Sequence, residues 1–137
     1  LREALKQNNC EDIRIFAKIE NMTGVEHLEE LIPYCDYIVI ARGDLGNVMP
    51  LSELPKVQAY IAKVCKEHNK NFMVVTQMLD SMIRNPFPTR AEVNDIYHAV
   101  HQGANALMLT GETAHGRYPV EAMKMLVETA NGSLEEL

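Results

Sequence analysis

Apolar and polar residues alternate from Ile13 to Ile19: Ile13, Ile15, Ala17 and Ile19 fall on one side, Arg14, Phe16 and Lys18 on the other. A period of two predicts a strand. Tyr37-Ile38-Val39-Ile40-Ala41 is nearly continuous in apolar character, the pattern of a strand buried on both faces of a parallel sheet, and Asp36 marks its start. Phe72-Met73-Val74-Val75 and Ala106-Leu107-Met108-Leu109 predict a third and a fourth strand. Between the strands the period becomes helical. Met22 to Ile32 predicts a short helix closed by Pro33. Val57, Tyr60, Ile61 and Val64 recur at helical spacing in a stretch reaching about His68, with Ser52 as its cap and Pro55 tolerated in the first turn. Met78, Leu79, Met82 and Ile83 form a short apolar-faced turn or helix stopped by Pro86 and Pro88. Thr89-Arg90-Ala91-Glu92 has the form of a capping box opening a helix to about Gln102, and Gly103 suits its left-handed end. Pro119 opens a last helix through about Thr129, beyond which the tail past Asn131 is expected to fray. A short helical segment before Asn8-Asn9 reads as the tail of something longer.

The result is a strand–helix unit repeated four times, and each strand ends in polar groups. They are Lys18-Ile19-Glu20, Arg42-Gly43-Asp44, Thr76-Gln77 and Thr110-Gly111-Glu112-Thr113. From Glu20 to Asp44 is 24 residues, from Asp44 to Thr76 is 32, and from Thr76 to Thr110 is 34. A (β/α)8 barrel of about 250 residues divides into units of about 31, and its chemistry sits at the C-terminal strand ends. The fold class is therefore α/β, four consecutive βα units, half of a TIM barrel. Four parallel strands leave two long unpaired edges, so the chain reads as a piece of a larger barrel or as a partner to something else. A site shared by Lys18 and Glu20 is expected to need the strand to end or bend at Glu20.

Composition narrows the function classes. With 137 residues, 47% hydrophobic and 23% charged, the chain suits one folded body with an ordinary core. No apolar run approaches the ~20 residues of a bilayer span, and Leu1-Arg2-Glu3-Ala4-Leu5 lacks the order of a signal peptide. A net charge of −6 argues against a broad nucleic-acid interface. Cys10, Cys35 and Cys65 are odd in number and far apart, suggesting neither a disulfide framework nor a zinc site. A reducing cytoplasm is the expected location.

Five segments in register carry a resemblance: KIEN at 18–21, ARGDLG at 41–46, TQML at 76–79, NPFPTRAE at 85–92 and TGETAHGRYP at 110–119. Their order and spacing resemble the second half of the pyruvate kinase catalytic barrel, strands 5 to 8, along nearly the whole chain. The family's first four strands, lid domain and C-terminal regulatory domain have no counterpart in these residues. The resemblance implies a cytosolic glycolytic enzyme, usually tetrameric, that transfers a phosphoryl group from phosphoenolpyruvate to ADP. It implies Mg²⁺ or Mn²⁺ on Glu20 and Asp44, since hard oxygen ligands supplemented by water and substrate suit such ions. The family's K⁺ and nucleotide ligands lie largely outside this chain, so the chain alone is expected to be inactive or nearly so.

The same resemblance makes Lys18 the cation that offsets charge on the moving phosphoryl group and the enolate. Backbone N–H groups of Arg42, Gly43 and Asp44 would face the substrate carboxylate, with Thr76 bonding to it as well. Thr110 stands where the family commonly has a serine in the proton path to the enolate, and it keeps the hydroxyl. His115 stands in place of a lysine that reaches nucleotide phosphates, and Asn47-Val48-Met49 replaces a stretch that commonly holds a glutamate. His98 and His101, with Asp95 nearby, raise a second metal site as an alternative to a solvated helix face. Two other functions stay open at this point. One is a Mg²⁺-dependent lyase or aldolase of the phosphoenolpyruvate/pyruvate barrel class; the other is a non-catalytic half-barrel that self-associates.

Overall fold

The computed structural model describes residues 1–135. Four strands, β1 (Phe16–Ile19), β2 (Tyr37–Ala41), β3 (Asn71–Val75) and β4 (Ala106–Met108), pair in parallel in the order β1-β2-β3-β4. Helices occupy the connections: α1 (Arg2–Gln7) before β1, α2 (Met22–Glu26) and α3 (Leu28–Leu31) after it, α4 (Arg42–Val48) and α5 (Leu54–Glu67) after β2, α6 (Arg90–His101) after β3, and α7 (Gly111–Ala114) and α8 (Pro119–Gly132) after β4. Sequential parallel neighbours joined by helices are half of a barrel, and all four C-terminal strand ends lie along one edge.

The two faces of the sheet differ. Ile19, Ile38, Ile40, Phe72 and Val74 turn toward the helices, where Leu28, Ile61, Ile96 and Leu126 complete the main core. The other face carries only a small cluster, Val39, Ala41 and Val75 with Met73 against it. Beside it Phe16 and Tyr37 stack with ring centroids 4.7 Å apart, Phe16 remaining 42% exposed. This open face is where the interior of a closed barrel would be.

Several elements differ from the sequence expectation. β1 begins at Phe16, not Ile13, because its ladder starts only where β2 offers Tyr37 as a partner; Ile13 is 53% exposed. The Asp36 carboxylate instead accepts the Ile15 N–H at 2.6 Å, and Arg2 bonds the same carboxylate, so Asp36 is held below the usual carboxylate range. The helix expected from Met22 to Ile32 breaks at His27 into two and continues through Pro33 as a 3₁₀ turn, Ile32–Tyr34. Ser52 is not a cap: α5 starts two residues later after Glu53, with Pro55 in its first turn as expected. The turn at Arg42 is a full helix, α4, and α7 was not anticipated. The last strand stops at Met108, and α8 persists to Gly132, so Asn131 is still helical; residues 136–137 of the tail lie outside the described part.

The capping box is complete, with Thr89 accepting the Glu92 N–H and Glu92 accepting the Thr89 N–H, and Gly103 has φ +90°. All three cysteines are free; burial pushes the Cys65 thiol up to about 12, which keeps it an unreactive core group. Among the described residues, no helix is long and apolar enough to cross a membrane.

Candidate functional site

Lys18 and Glu20 form the first part of the site. Their ammonium and carboxylate meet at 2.5 Å, with the side chains 55% and 43% exposed. The strand ends as expected, at Ile19, which leaves Glu20 free to close on Lys18; the end is not strictly needed for the meeting, since residues two apart in a strand already share a face. The hydrogen bond and charge of Glu20 raise the Lys18 pKa, and the Asp44 carboxylate adds to the same field. Asp44 reaches this position from the first turn of α4, the end of a helix that favours negative charge.

The second part lies where β2 and β3 end. Thr76 has φ +80°, a conformation that a β-branched residue avoids, and Gln77 follows at φ +54°. The Thr76 side chain lies directly over Gly43: a Cβ on Gly43 would stand 2.8 Å from Thr76 Cγ2 and 3.4 Å from its Oγ1. Glycine is therefore required by space. The Thr76 carbonyl accepts hydrogen bonds from Arg42 Nη2 at 2.6 Å and Nε at 3.2 Å, while Arg42 Nη1 donates to both Asp95 carboxylate oxygens at 2.8 and 2.7 Å. The Arg42 side chain is only 11% exposed. Its guanidinium is thus committed inside the protein, and what Arg42 offers a ligand is its backbone.

Two further carboxylates hold the same loop. Glu112 is 1% exposed and accepts the Leu79 N–H at 3.0 Å and the Thr110 N–H at 2.7 Å, with the Thr110 hydroxyl at 3.4 Å. It links the β3 and β4 loops, and through it Thr110 is tied to the segment that follows Thr76. Among the described residues, Thr110 has no hydrogen bond to Lys18, Glu20 or Asp44. Glu92, beyond its capping role, accepts Ser81 N at 2.7 Å and Ser81 Oγ at 2.6 Å. Burial pushes the Glu92 carboxyl up, but the bonds from Ser81 and Thr89 outweigh it and hold the group below the usual carboxylate range.

Sequence reasoning missed Glu112 and Ser81 and considered Asp95 only as a companion to histidines. A signal for Asp95 existed: it follows Glu92 by three residues, which puts both on the side of α6 that meets the loop. For Glu112 there was none beyond a carboxylate near a strand end. The histidines have other surroundings. His101 stacks on Tyr97 at 3.9 Å and its Nδ1 lies 3.0 Å from the Tyr97 carbonyl, while Asp95 is engaged by Arg42. His115, at the end of α7, lays its ring over Gly111, and Asn47 and Val48 are exposed at the end of α4.

The chemistry of the edge divides accordingly. Glu20 and Asp44 are accessible oxygen donors on successive strand ends; the Lys18 ammonium pairs with Glu20 and feels the charge of Asp44. Two carboxylates with room for water and ligand oxygens form a donor set that fits a small divalent ion. Beside them Gly43, Thr76 and the first turn of α4 offer neutral hydrogen-bond donors.

The description "Pyruvate kinase, barrel domain" belongs to the family model that matches residues 1–123. A pyruvate kinase of Thermotoga maritima is 49% identical over 136 residues, covering 99% of this chain and 29% of that protein. Those of Clostridium acetobutylicum and Bacillus licheniformis are 44% and 46% identical across the whole chain, which spans 29% and 23% of their lengths. The four βα units, the motifs at their strand ends and these matches together make the chain a member of the pyruvate kinase family, corresponding to part of its barrel domain.

Proposed function

We propose that this chain carries the metal and enolate side of a site that transfers a phosphoryl group from phosphoenolpyruvate to ADP, giving pyruvate and ATP. The observation that carries the reading is the accessible Lys18–Glu20–Asp44 cluster beside the close contact of Gly43 with Thr76. Glu20 and Asp44 would hold Mg²⁺ or Mn²⁺, with K⁺ and most nucleotide contacts supplied from outside these residues. When bound there, the divalent ion would supply positive charge to the oxygens of the substrate. Lys18 adds a compact ammonium whose proton is held firmly by Glu20, so it acts as a fixed cation on the transferring group and the enolate. The N–H groups opening α4 and the Thr76 hydroxyl orient the substrate carboxylate, and the Thr110 hydroxyl belongs to the proton path to the enolate carbon. Phosphoryl transfer depends on positioning donor and acceptor together, so the isolated chain is inactive or nearly so. Glycolysis in the cytoplasm and a homotetrameric parent follow from the same reading.

Mn²⁺ binding followed by electron paramagnetic resonance tests it, on the chain and on a Glu20→Gln/Asp44→Asn double variant, with and without phosphoenolpyruvate. Saturable binding that the double variant loses is the expected result; equal binding by both removes the metal assignment. ADP-dependent pyruvate formation by the 137-residue chain at the rate of a complete enzyme would overturn the inactivity. The family assignment leaves the lyase alternative without support. The self-associating half-barrel stays as a second reading, favoured by the exposed Phe16–Tyr37 stack and by β1 and β4 each being paired on one side only. Sedimentation that stays monomeric at every concentration would remove it.

A further inference from the structure

Thr76 is the one β-branched residue with a positive φ among the described residues, and its peptide is held in that state from outside its own loop. Backbone strain of this kind persists only where surrounding structure over-determines it. Here the Thr76 carbonyl is gripped by Arg42 Nη2 and Nε, and the guanidinium is fixed by a two-oxygen contact with Asp95 on α6. A planar guanidinium is the side chain able to bind a carboxylate on one edge and a carbonyl on another without rotating. Met78 Sδ, 3.0 Å from Arg42 Nη2, closes the remaining side.

The geometry points to Asp95 as a positioning residue that, through Arg42, sets the left-handed turn at Thr76 and so aims the Thr76 side chain across Gly43 toward the ligand edge. Asp95 touches no candidate ligand group; its effect is on where Thr76 stands. This inference rests on the proposed function for what Thr76 binds, but the positioning itself can be read without any ligand. The order of the relay is fixed by chemistry. Removing the Asp95 charge frees the guanidinium to swing toward water, the Thr76 carbonyl loses its two donors, and the peptide relaxes to a negative φ. The Thr76 methyl then leaves its contact with Gly43. Lys18 on β1, Glu20 just past its end and Asp44 on α4 are bonded to neither the Arg42 guanidinium, Asp95 nor Thr76, so the charged half of the site is expected to keep its metal affinity.

The test uses the chain with Asp95→Asn, Asp95→Glu and Arg42→Lys. Backbone NMR shifts of Thr76 report its φ; phosphoenolpyruvate titration with Mg²⁺ present, and Mn²⁺ titration alone, report the two halves of the site. Asp95→Asn and Arg42→Lys are both expected to move the Thr76 shifts out of the left-handed range. Each is expected to weaken phosphoenolpyruvate binding on the order of tenfold, the loss of one charge-assisted hydrogen-bond network. Mn²⁺ affinity stays as in the unaltered chain, and Asp95→Glu recovers part of the substrate affinity. Should Asp95→Asn unfold the chain, Arg42→Lys, which keeps a cation beside Asp95, carries the same reading. Left-handed Thr76 shifts in a folded Asp95→Asn or Arg42→Lys chain would overturn the inference, as would an equal fall in Mn²⁺ and phosphoenolpyruvate affinity. If the unaltered chain binds no phosphoenolpyruvate, the proposed function fails, while the Thr76 shifts still decide the role of Asp95.

Discussion

Two regions of the C-terminal edge use carboxylates in opposite ways. At the ends of β1 and β2, Glu20 and Asp44 are accessible, and Lys18, which pairs with Glu20, is itself more than half exposed. Beyond the ends of β3 and β4, Glu112 is buried and Glu92 and Asp95 on α6 are half-buried, and all three are held by backbone N–H groups, by Ser81, by Thr89 or by Arg42. The first set can exchange its partner for a ligand because water already solvates it. The second is already committed within the protein: Glu112 satisfies N–H groups that burial would otherwise leave without a partner, Glu92 holds Ser81 and the α6 cap, and Asp95 holds Arg42. A polar strand end therefore says nothing about chemistry until its exposure and partners are known. The quiet region is what holds the backbone of Thr76 for the reactive one.

Breaking the buried region should cost stability, with the largest effect at Glu112. Glu112→Ala leaves the Leu79 and Thr110 N–H groups without their acceptor, and urea unfolding is expected to show a loss on the order of 3 kcal/mol. Next comes Gly43→Ala, whose new methyl meets Thr76 Cγ2 at 2.8 Å. The overpacking is expected to cost about 2 kcal/mol in the same measurement and to weaken phosphoenolpyruvate binding. Thr89→Ala removes the α6 cap and should cost about 1 kcal/mol.

Acid sharpens the contrast further. Glu92 is held below its unfolded value, so its contribution is present above that value, about pH 4.3, and is lost as pH falls through the folded value. Urea midpoints followed from neutral into acid should therefore fall less steeply for Glu92→Gln than for the unaltered chain. The smallest effect on stability belongs to the exposed region: Lys18→Met should leave the urea midpoint where it is while abolishing phosphoenolpyruvate binding. A large drop in that midpoint would erase the distinction between the two regions.

The repeat of strand and helix, the parallel sheet, the capping box at Thr89 and the left-handed end at Gly103 were legible in the chain because each depends on neighbours a few residues away. Apolar period, the reach of a threonine hydroxyl and the freedom of glycine are local properties. Strand ends were less legible: β1 starts at Phe16 because β2 starts at Tyr37, a fact about the partner strand. The helix expected up to Ile32 broke at His27, and the Ser52 cap went unused, α5 taking its first turn at Leu54 after Glu53.

For the site, sequence by itself determined the inventory: a lysine, two carboxylates, a glycine and two threonines at successive strand ends. Only the tertiary structure decided their duties. Asp95 and Arg42 are 53 residues apart, and Glu112 and Leu79 are 33 apart, and no local pattern joins them. Whether a carboxylate binds a ligand or holds a backbone follows from which groups folding brings to its oxygens and how much water it leaves there. That is a property of the assembled edge, because desolvation and hydrogen-bond satisfaction exist only once distant segments meet.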